Sequence, residues 1–151
     1  MWFSRKQVAK ETPTDSRIGA LAQPGQITTK RLGDAAESLA LTHLVRAGMK
    51  LVHANYRTPG RGGGEVDLVM RDKDGTLVFV EVRHRKSTLH GGAAASVSAV
   101  KQRRIVFAAR HFLLRFASLP PCRFDVVTVQ GALDAPETVT VEWLRGAFDA
   151  G

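Results

Sequence analysis

The chain has a single cysteine, Cys122, and no hydrophobic run long enough to cross a membrane. One cysteine cannot form a disulfide within the chain or supply a cysteine-rich zinc site, so nothing points to an oxidising compartment. Polar and charged residues interrupt the segment before Thr29 too often for the apolar stretch of a secretory signal. We therefore expect a cytoplasmic protein with no membrane partner.

Acidic residues are absent between Glu81 and Asp125, in a chain that carries 22 basic and 14 acidic residues and a formal net charge of +8. A basic excess indicates an anionic partner, and nucleic acid is favoured over a membrane surface. A solvated basic helix face is the other interpretation. Because no acid compensates the charge of this stretch, we favour a phosphate-binding surface, with DNA as the expected ligand. The residues predicted to contact it are Arg83, Arg85, Lys86, Lys101, Arg103 and Arg104.

The length of 151 residues suits one domain with its own core. Residues 1–29 mix prolines, glycines and scattered polar residues without any sustained period, which predicts a mobile N-terminal extension. Residues 30–151 are then expected to form a single α/β domain. Hydrophobic content of 44% and charged content of 24% are typical of globular proteins.

A first helix is predicted from Lys30 to a stop at Gly48, because good helix formers fill the segment and glycine suits the left-handed cap. Glu37 falls on the apolar side of this helix, between the directions of Leu41 and Leu44. A buried carboxylate there is costly unless it meets a cation, a metal or several donors. Glu37 either has such a role or lies at the helix edge and reaches water.

Residues 58–64, a glycine-rich stretch, are interpreted as a flexible loop that leads into two strands. The link between those strands predicts a hairpin whose loop is residues 73–75, with glycine in the left-handed position. In that register Asp67 lies opposite Glu81 and Glu65 lies opposite Arg83, all on one face of the sheet.

Like charges that face each other directly are unfavourable unless something neutralises them. A hard divalent cation does so, which makes Mg²⁺ or Mn²⁺ the expected cofactor, held by Asp67 and Glu81. Glu65 is either a further ligand or the partner of Arg83. The alternative is a hairpin of different register, stabilised by ion pairs from Glu65 to Arg83 and from Asp67 to Arg85.

A second helix is indicated by apolar residues at i, i+3, i+4, i+7, i+8 and i+11 from Ile105, with Ser98 as its N-cap. Lys101, in its first turn, either leans over the acidic site or extends to solvent. Phe107 and Leu114 emerge on the outer side and are a candidate surface for a small partner or a homodimer.

Two further strands are predicted, residues 123–129 and 138–142. In the first, Arg123 and Asp125 share a face, which favours a structural ion pair over a catalytic role. After the second strand, Trp143, Leu144 and Phe148 are expected to cap the core.

Several short motifs follow one another in a fixed order along the chain. They are Ala-Glu in the first helix, Asn-Tyr-Arg, Gly-Glu-Val-Asp-Leu-Val, Phe-Val-Glu-Val-Arg, Lys-Gln-Arg-Arg-Ile, Arg-Phe-Asp-Val-Val and a closing Trp-Leu. From about Arg31 to Phe148 the chain thereby resembles the YraN family of small bacterial proteins, which is related by motif to archaeal Holliday junction resolvases and PD-(D/E)xK nucleases. The resemblance implies a restriction-endonuclease-like fold, a mixed β-sheet flanked by helices.

The resemblance also implies roles for individual residues. Asp67 matches the metal-binding acid, Glu81 matches the acid of the E-x-K signature, and Glu37 matches the first-helix acid of the resolvases. The sequence departs from the signature at Arg83, where lysine is usual. Arginine cannot take a proton from water, although it can hold a phosphate. A metal that activates water makes a protein base unnecessary, so the departure does not exclude activity.

The expected function is cleavage of branched or structured DNA by a Mg²⁺- or Mn²⁺-dependent endonuclease. The alternative is a nucleic-acid-binding module without catalysis, or a scaffold partner of repair proteins that has kept the fold. The predicted catalytic residues are Asp67, Glu81, Arg83, Glu37 and Lys101, and the predicted metal ligands are Asp67, Glu81 and Glu65.

Overall fold

The computed structural model describes residues 29–86 and 97–151. The predicted mobile extension lies outside these residues except for Thr29, and Leu32–Gly151 form one compact unit. The elements are α1 (Thr29–Arg46), β1 (Lys50–Arg57), β2 (Glu65–Arg71), β3 (Leu77–Arg85), α2 (Ala99–Leu113), β4 (Cys122–Gln130), a short 3-10 helix (Pro136–Thr138) and β5 (Thr140–Phe148).

Helix α1 ends as its sequence predicts. Gly48 adopts a positive φ of 102°, and the N–H of Met49 donates to the carbonyl oxygen of Leu44 at 3.1 Å, which closes the last turn. The buried residues of α1 are Ala36, Ala40 and Leu44, one helical face that packs on the sheet.

In the described part of the chain, five strands form one sheet in the order β1-β2-β3-β4-β5. Only β3 and β4 are parallel to each other, and the remaining neighbours are antiparallel. Parallel neighbours need a long crossover, and α2 lies within the connection between these two strands. The predicted fold class, an α/β protein with a mixed sheet flanked by helices, is confirmed.

Each helix covers its own face of the sheet. On β3, Leu77 and Phe79 pack with Ile105 and Phe112 of α2. Consecutive strand residues point to opposite faces, so the neighbours of Phe79 belong to a second core with α1. The second core includes Ala40, Leu44, Met70, Val78, Val80, Val127 and Val129.

The β2–β3 hairpin has the predicted register. The N–H of Asp72 donates to the oxygen of Thr76 at 2.9 Å, and Val69 pairs with Phe79. The alternative hairpin of different register is therefore wrong. Residue pairing ends at Leu68 and Val80, one position before the predicted pairing of Asp67 with Glu81. Backbone pairing does not continue to Asp67 and Glu81, because the Val82 N–H donates to the Asp67 side chain.

The last strand is longer and lies later than predicted. Residues 136–138 form a 3-10 turn, and the strand runs from Thr140 to Phe148. Asp125, fully buried on β4, holds β5 in place by accepting from Trp143 Nε1 at 2.9 Å and from the Gly146 N–H at 2.9 Å. Its predicted ion pair with Arg123 is present at 3.0 Å.

The expectation for the end of the chain is confirmed in part. Trp143 and Phe148 pack against the two cores. Leu144 does not, because it points to the solvent side of β5 and remains 39% exposed. Within the described residues, no helix is long and apolar enough to cross a membrane.

Candidate metal and nucleic-acid site

The side chains of Asp67 and Glu81, called the carboxyl pair below, meet where β2 and β3 begin to separate. The Val82 N–H donates to Asp67 Oδ2 at 2.8 Å, so the Asp67 side chain bridges the two strands. The two carboxyl groups are hydrogen-bonded to each other, and Glu81 is only 8% exposed. The predicted convergence of these acids is present in the structure.

The environment of the carboxyl pair favours the protonated form of both acids. Burial and the negative charge of Asp67 together raise the pKa of Glu81 to about 8, against the opposing effect of the Lys101 charge. Burial also raises the pKa of Asp67, although the hydrogen bond from Val82 opposes that shift. Two like groups this close cannot both ionise easily unless a cation joins them.

Lys101 of α2 leans over the acids, which is the first of the two positions predicted for its side chain. Its Nζ atom lies 3.4 Å from Glu65 Oε2 and 3.7 Å from Glu81 Oε2. The other oxygen of Glu65 lies 3.8 Å from Arg57 on the neighbouring strand. The structure thus brings Glu65, Glu81 and Asp67 together beneath one lysine.

The position of Lys101 depends on Gly64, a residue that the sequence analysis interpreted only as part of a flexible loop. A Cβ atom on Gly64 would lie 2.1 Å from the carbonyl oxygen of Arg104 and 2.8 Å from the Ala108 nitrogen. The backbone of α2 therefore approaches β2 closely at this point. Thr58 fixes the loop, because its Oγ1 accepts from the Gly64 N–H at 2.8 Å. The run of three glycines was the available signal for such close contact.

A cavity of about 310 Å³ lies beside the acids, and we call it the carboxylate cavity. Its lining consists of Glu81, Arg83, Val97, Ser98 and Lys101. Ser98 caps α2, its Oγ accepting from the Lys101 N–H at 3.1 Å. The positive charge of Arg83 lowers the pKa of Glu81, against the larger effect of burial. A phosphate group in this cavity would therefore meet two cations.

The other predicted contact residues are not among those that line this cavity. Lys86, at the end of β3, is exposed, and Arg85 is half-buried. Arg103 and Arg104 are both exposed on α2. Glu37 is half-buried on α1, the helix whose buried residues pack on the other face of the sheet.

The residue chemistry of the site fits a hard divalent cation that is held by few protein ligands. Glu81 Oε1 is buried and has no hydrogen-bond partner among residues 29–86 and 97–151. Over the same residues there is no group of three or more histidine, cysteine, aspartate or glutamate side chains arranged to hold a metal. Mg²⁺ commonly binds through one or two carboxylates and fills its other positions with water and substrate phosphate. The carboxyl pair matches that pattern better than it matches a zinc site.

Comparison with known proteins identifies relatives over the whole chain. A family model described as "Uncharacterised protein family UPF0102" matches residues 36–129, from α1 to the end of β4. The chain is 66% identical over 152 residues to a UPF0102 protein of Polaromonas naphthalenivorans (strain CJ2), covering 99% of each chain. It is 64% identical over 124 residues to a UPF0102 protein of Paracidovorax citrulli (strain AAC00-1), covering 82% of this chain and 87% of that relative. The chain belongs to the UPF0102 family, the YraN-like family that its motifs resemble.

Proposed function

We propose that this protein binds structured DNA and hydrolyses its phosphodiester backbone with the aid of Mg²⁺ or Mn²⁺. The observation that carries the proposal is the carboxyl pair, in which Glu81 is buried, both acids have a raised pKa and Glu81 Oε1 has no partner among the described residues. Such an arrangement has little structural value on its own, because burying two acids against each other destabilises the fold. Strained acid pairs of this kind are typical of functional sites.

The motif resemblance to PD-(D/E)xK nucleases supports the same chemistry. Asp67 and Glu81, which the resemblance matches to the acids of that signature, lie on two adjacent strands of a mixed sheet. Fold likeness alone does not assign an activity, so the proposal depends on the site.

Asp67 and Glu81 would hold the cation, and Glu65 is near enough to Lys101 to support it from the edge of the site. A bound divalent ion supplies an activated water and stabilises negative charge on the phosphate. Binding of the cation would require the carboxyl pair to release its proton, which couples metal affinity to pH.

Lys101 and Arg83 would orient the scissile phosphate from the two sides of the carboxylate cavity. Arginine is suited to hold phosphate oxygens and not to accept a proton. Lys101 places a cationic side chain 3.7 Å from Glu81, so α2 supplies a lysine near the position where β3 carries Arg83 in place of the lysine of the signature. The departure from the signature therefore leaves a complete set of side chains for phosphoryl transfer.

The direct test is incubation of the purified protein with labelled junction, flap and duplex DNA, with Mg²⁺, with Mn²⁺ and with a chelator. We expect cleavage that requires the metal and that is abolished in Asp67→Asn and in Glu81→Gln. Glu142→Gln, which changes an exposed acid on β5, is the matched control and should retain full activity. Cleavage that survives in both site variants would indicate a contaminating nuclease.

A second candidate is a binding module without catalysis, and Arg83 is the observation that favours it. Under this alternative the basic residues bind DNA, while no DNA form is cut with either metal. Binding by the wild-type protein and by Arg83→Lys, without cleavage by either, would select this candidate.

A further inference from the structure

The outer side of α2 carries an aromatic ring beside a second cavity. Phe107 is 54% exposed and lines this cavity. The cavity has a volume of about 490 Å³, within the range that holds a small organic ligand. We call it the arginine cavity, and it is lined by Ala99, Gln102, Arg103, Val106, Phe107, Arg110 and residues 149–151.

Two arginines line this cavity together with Phe107. Arg103 and Arg110 precede and follow Phe107 by four and three residues, spacings that place side chains on one side of a helix. Arg104 directly follows Arg103, and α2 has no acidic residue. An exposed ring between cations is the arrangement by which proteins hold unpaired nucleotides, since a base stacks on the ring while the cations meet its phosphates.

The charge of this surface argues against two other occupants, a second copy of the chain and a purely apolar partner. A second copy of the chain that packed α2 against α2 would bring arginines against arginines, and like charges at an interface are costly. A purely apolar partner would leave Arg103 and Arg110 to be desolvated without a counter-charge. Asp149 also lines the cavity and repels phosphate, so the base and not the phosphate belongs beside it, where a carboxylate can accept from an exocyclic amino group.

The two cavities are adjacent along one helix. Val97, Ser98 and Lys101 line the carboxylate cavity, whereas Ala99 and Gln102 line the arginine cavity. Lys101 and Phe107 are six residues apart, which corresponds to roughly 9 Å along the helix axis. Six residues also turn the helix by a net rotation of roughly 120°, so a strand held at Phe107 would pass around the side of α2 to reach the carboxylate cavity.

We propose that Phe107, Arg103 and Arg110 form a binding site for an unpaired nucleotide next to the phosphate that is cleaved. This inference rests on the proposed function and narrows its substrate class to DNA with a single-stranded segment beside the cut, such as a flap or a frayed branch. Duplex DNA presents its bases only inside the stack and cannot occupy this site without opening.

The test measures affinity by fluorescence anisotropy in a chelating buffer, with a single-stranded oligonucleotide and with a blunt duplex of the same sequence. We expect Phe107→Ala to weaken single-strand binding roughly 5- to 100-fold, the loss of one stacked base, and to leave duplex affinity within about twofold. Phe107→Tyr should retain single-strand binding. Leu114→Ala is the matched control, because Leu114 is 78% exposed on the turn that follows α2 and lies outside the lining of the cavity.

An equal loss of single-strand and duplex affinity would overturn the proposal, as would no loss with either DNA. The experiment uses no metal and no cleavage, so its outcome is independent of hydrolysis. If Phe107→Ala selectively weakens single-strand binding but the wild-type protein cuts no DNA with either metal, the hydrolase proposal is rejected and the nucleotide site is retained. If the wild-type protein cuts DNA but Phe107→Ala does not selectively weaken single-strand binding, the nucleotide site is rejected and the hydrolase proposal is retained.

Discussion

At the scale of single residues, the carboxyl pair makes the stability of the protein depend on pH. An unfolded Glu81 loses its proton near pH 4.5, whereas burial and Asp67 keep the folded group protonated to about pH 8. The folded state therefore binds more protons between these values, so its free energy of unfolding falls as the pH rises. Below pH 4.5 the stabilisation that results from the raised pKa of Glu81 is fully present.

The first prediction follows from this titration. Without divalent cations, chemical denaturation should show a loss of stability on the order of 3 kcal/mol between pH 4.5 and pH 8. Glu81→Gln should flatten that dependence, because the amide does not titrate, while Glu142→Gln should leave it unchanged. Mn²⁺ should restore stability at pH 8 in the wild type and not in Glu81→Gln. A wild-type profile that stays level across this range would contradict the description of the pair.

The second prediction concerns the two cations of the carboxylate cavity. Arg83→Ala should reduce metal-dependent cleavage by on the order of 10² to 10³, the usual effect of losing one donor to the transition state. Arg83→Lys should preserve or raise activity, because lysine supplies a cation and restores the signature. Lys101→Ala should be as damaging as Arg83→Ala if α2 supplies the lysine of the site. Single-turnover rates on a flap substrate measure all three, and near-wild-type rates in Lys101→Ala would remove it from the mechanism.

At the scale of elements, the contact between Gly64 and α2 sets the distance from Lys101 to the acids. The third prediction is that Gly64→Ala destabilises the protein by about 1 to 3 kcal/mol, because a methyl group has no space against the Arg104 carbonyl. Cleavage should fall by more than the change in stability explains, since α2 must move away together with Lys101. Thermal denaturation and cleavage rates should be measured on the same samples.

Gly33→Ala is the matched control for that change. Gly33 lies inside α1 with nothing within 4 Å of the position of a Cβ atom, so alanine should stabilise the helix by roughly 0.5 to 1 kcal/mol. Equal stabilities of the two glycine variants would show that the contact at Gly64 is looser than described.

Local signals were sufficient to predict much of this element structure. The hairpin loop with Gly75 predicted the register of β2 and β3, and Ser98 and Gly48 marked a helix start and a helix end. The start and length of β5 could not be predicted, because its position depends on hydrogen bonds to Asp125 that join distant parts of the chain. Tertiary contacts of that kind leave no periodic pattern in the sequence.

The candidate site, like the fold, could be predicted from the sequence only where the signal is local. Alternation along two strands placed Asp67 and Glu81 on one face, because that periodicity is local. The choice between two positions for Lys101 was not local, since it depends on how closely α2 approaches Gly64. The loss of backbone pairing beyond Leu68 and Val80 was also beyond sequence reasoning, because Asp67 replaces a main-chain acceptor there.

At the scale of the whole molecule, the basic residues expected to bind DNA are separate from the acids expected to take part in its cleavage. The net charge of +8 attracts any polyanion, whereas the carboxyl pair repels phosphate until a cation is bound. Binding without metal should therefore depend on the exposed arginines of α2, and cleavage should depend on the acids. The two groups of residues can be changed independently because they lie on different elements.

The fourth prediction tests this separation through salt dependence. Neutralising Arg103 and Arg104 together should weaken binding to all DNA sequences alike and should reduce the slope of log affinity against log salt by about one unit for each lost phosphate contact. Asp67→Asn should leave both affinity and slope close to wild type in a chelating buffer, because it removes no phosphate contact and slightly reduces repulsion. Titrations at several salt concentrations, with a fixed duplex, measure both quantities. An unchanged slope in the double arginine variant would mean that Arg103 and Arg104 form an ordinary solvated helix face. A strong loss of binding in Asp67→Asn would mean that the acids contribute to DNA binding and not to cleavage alone.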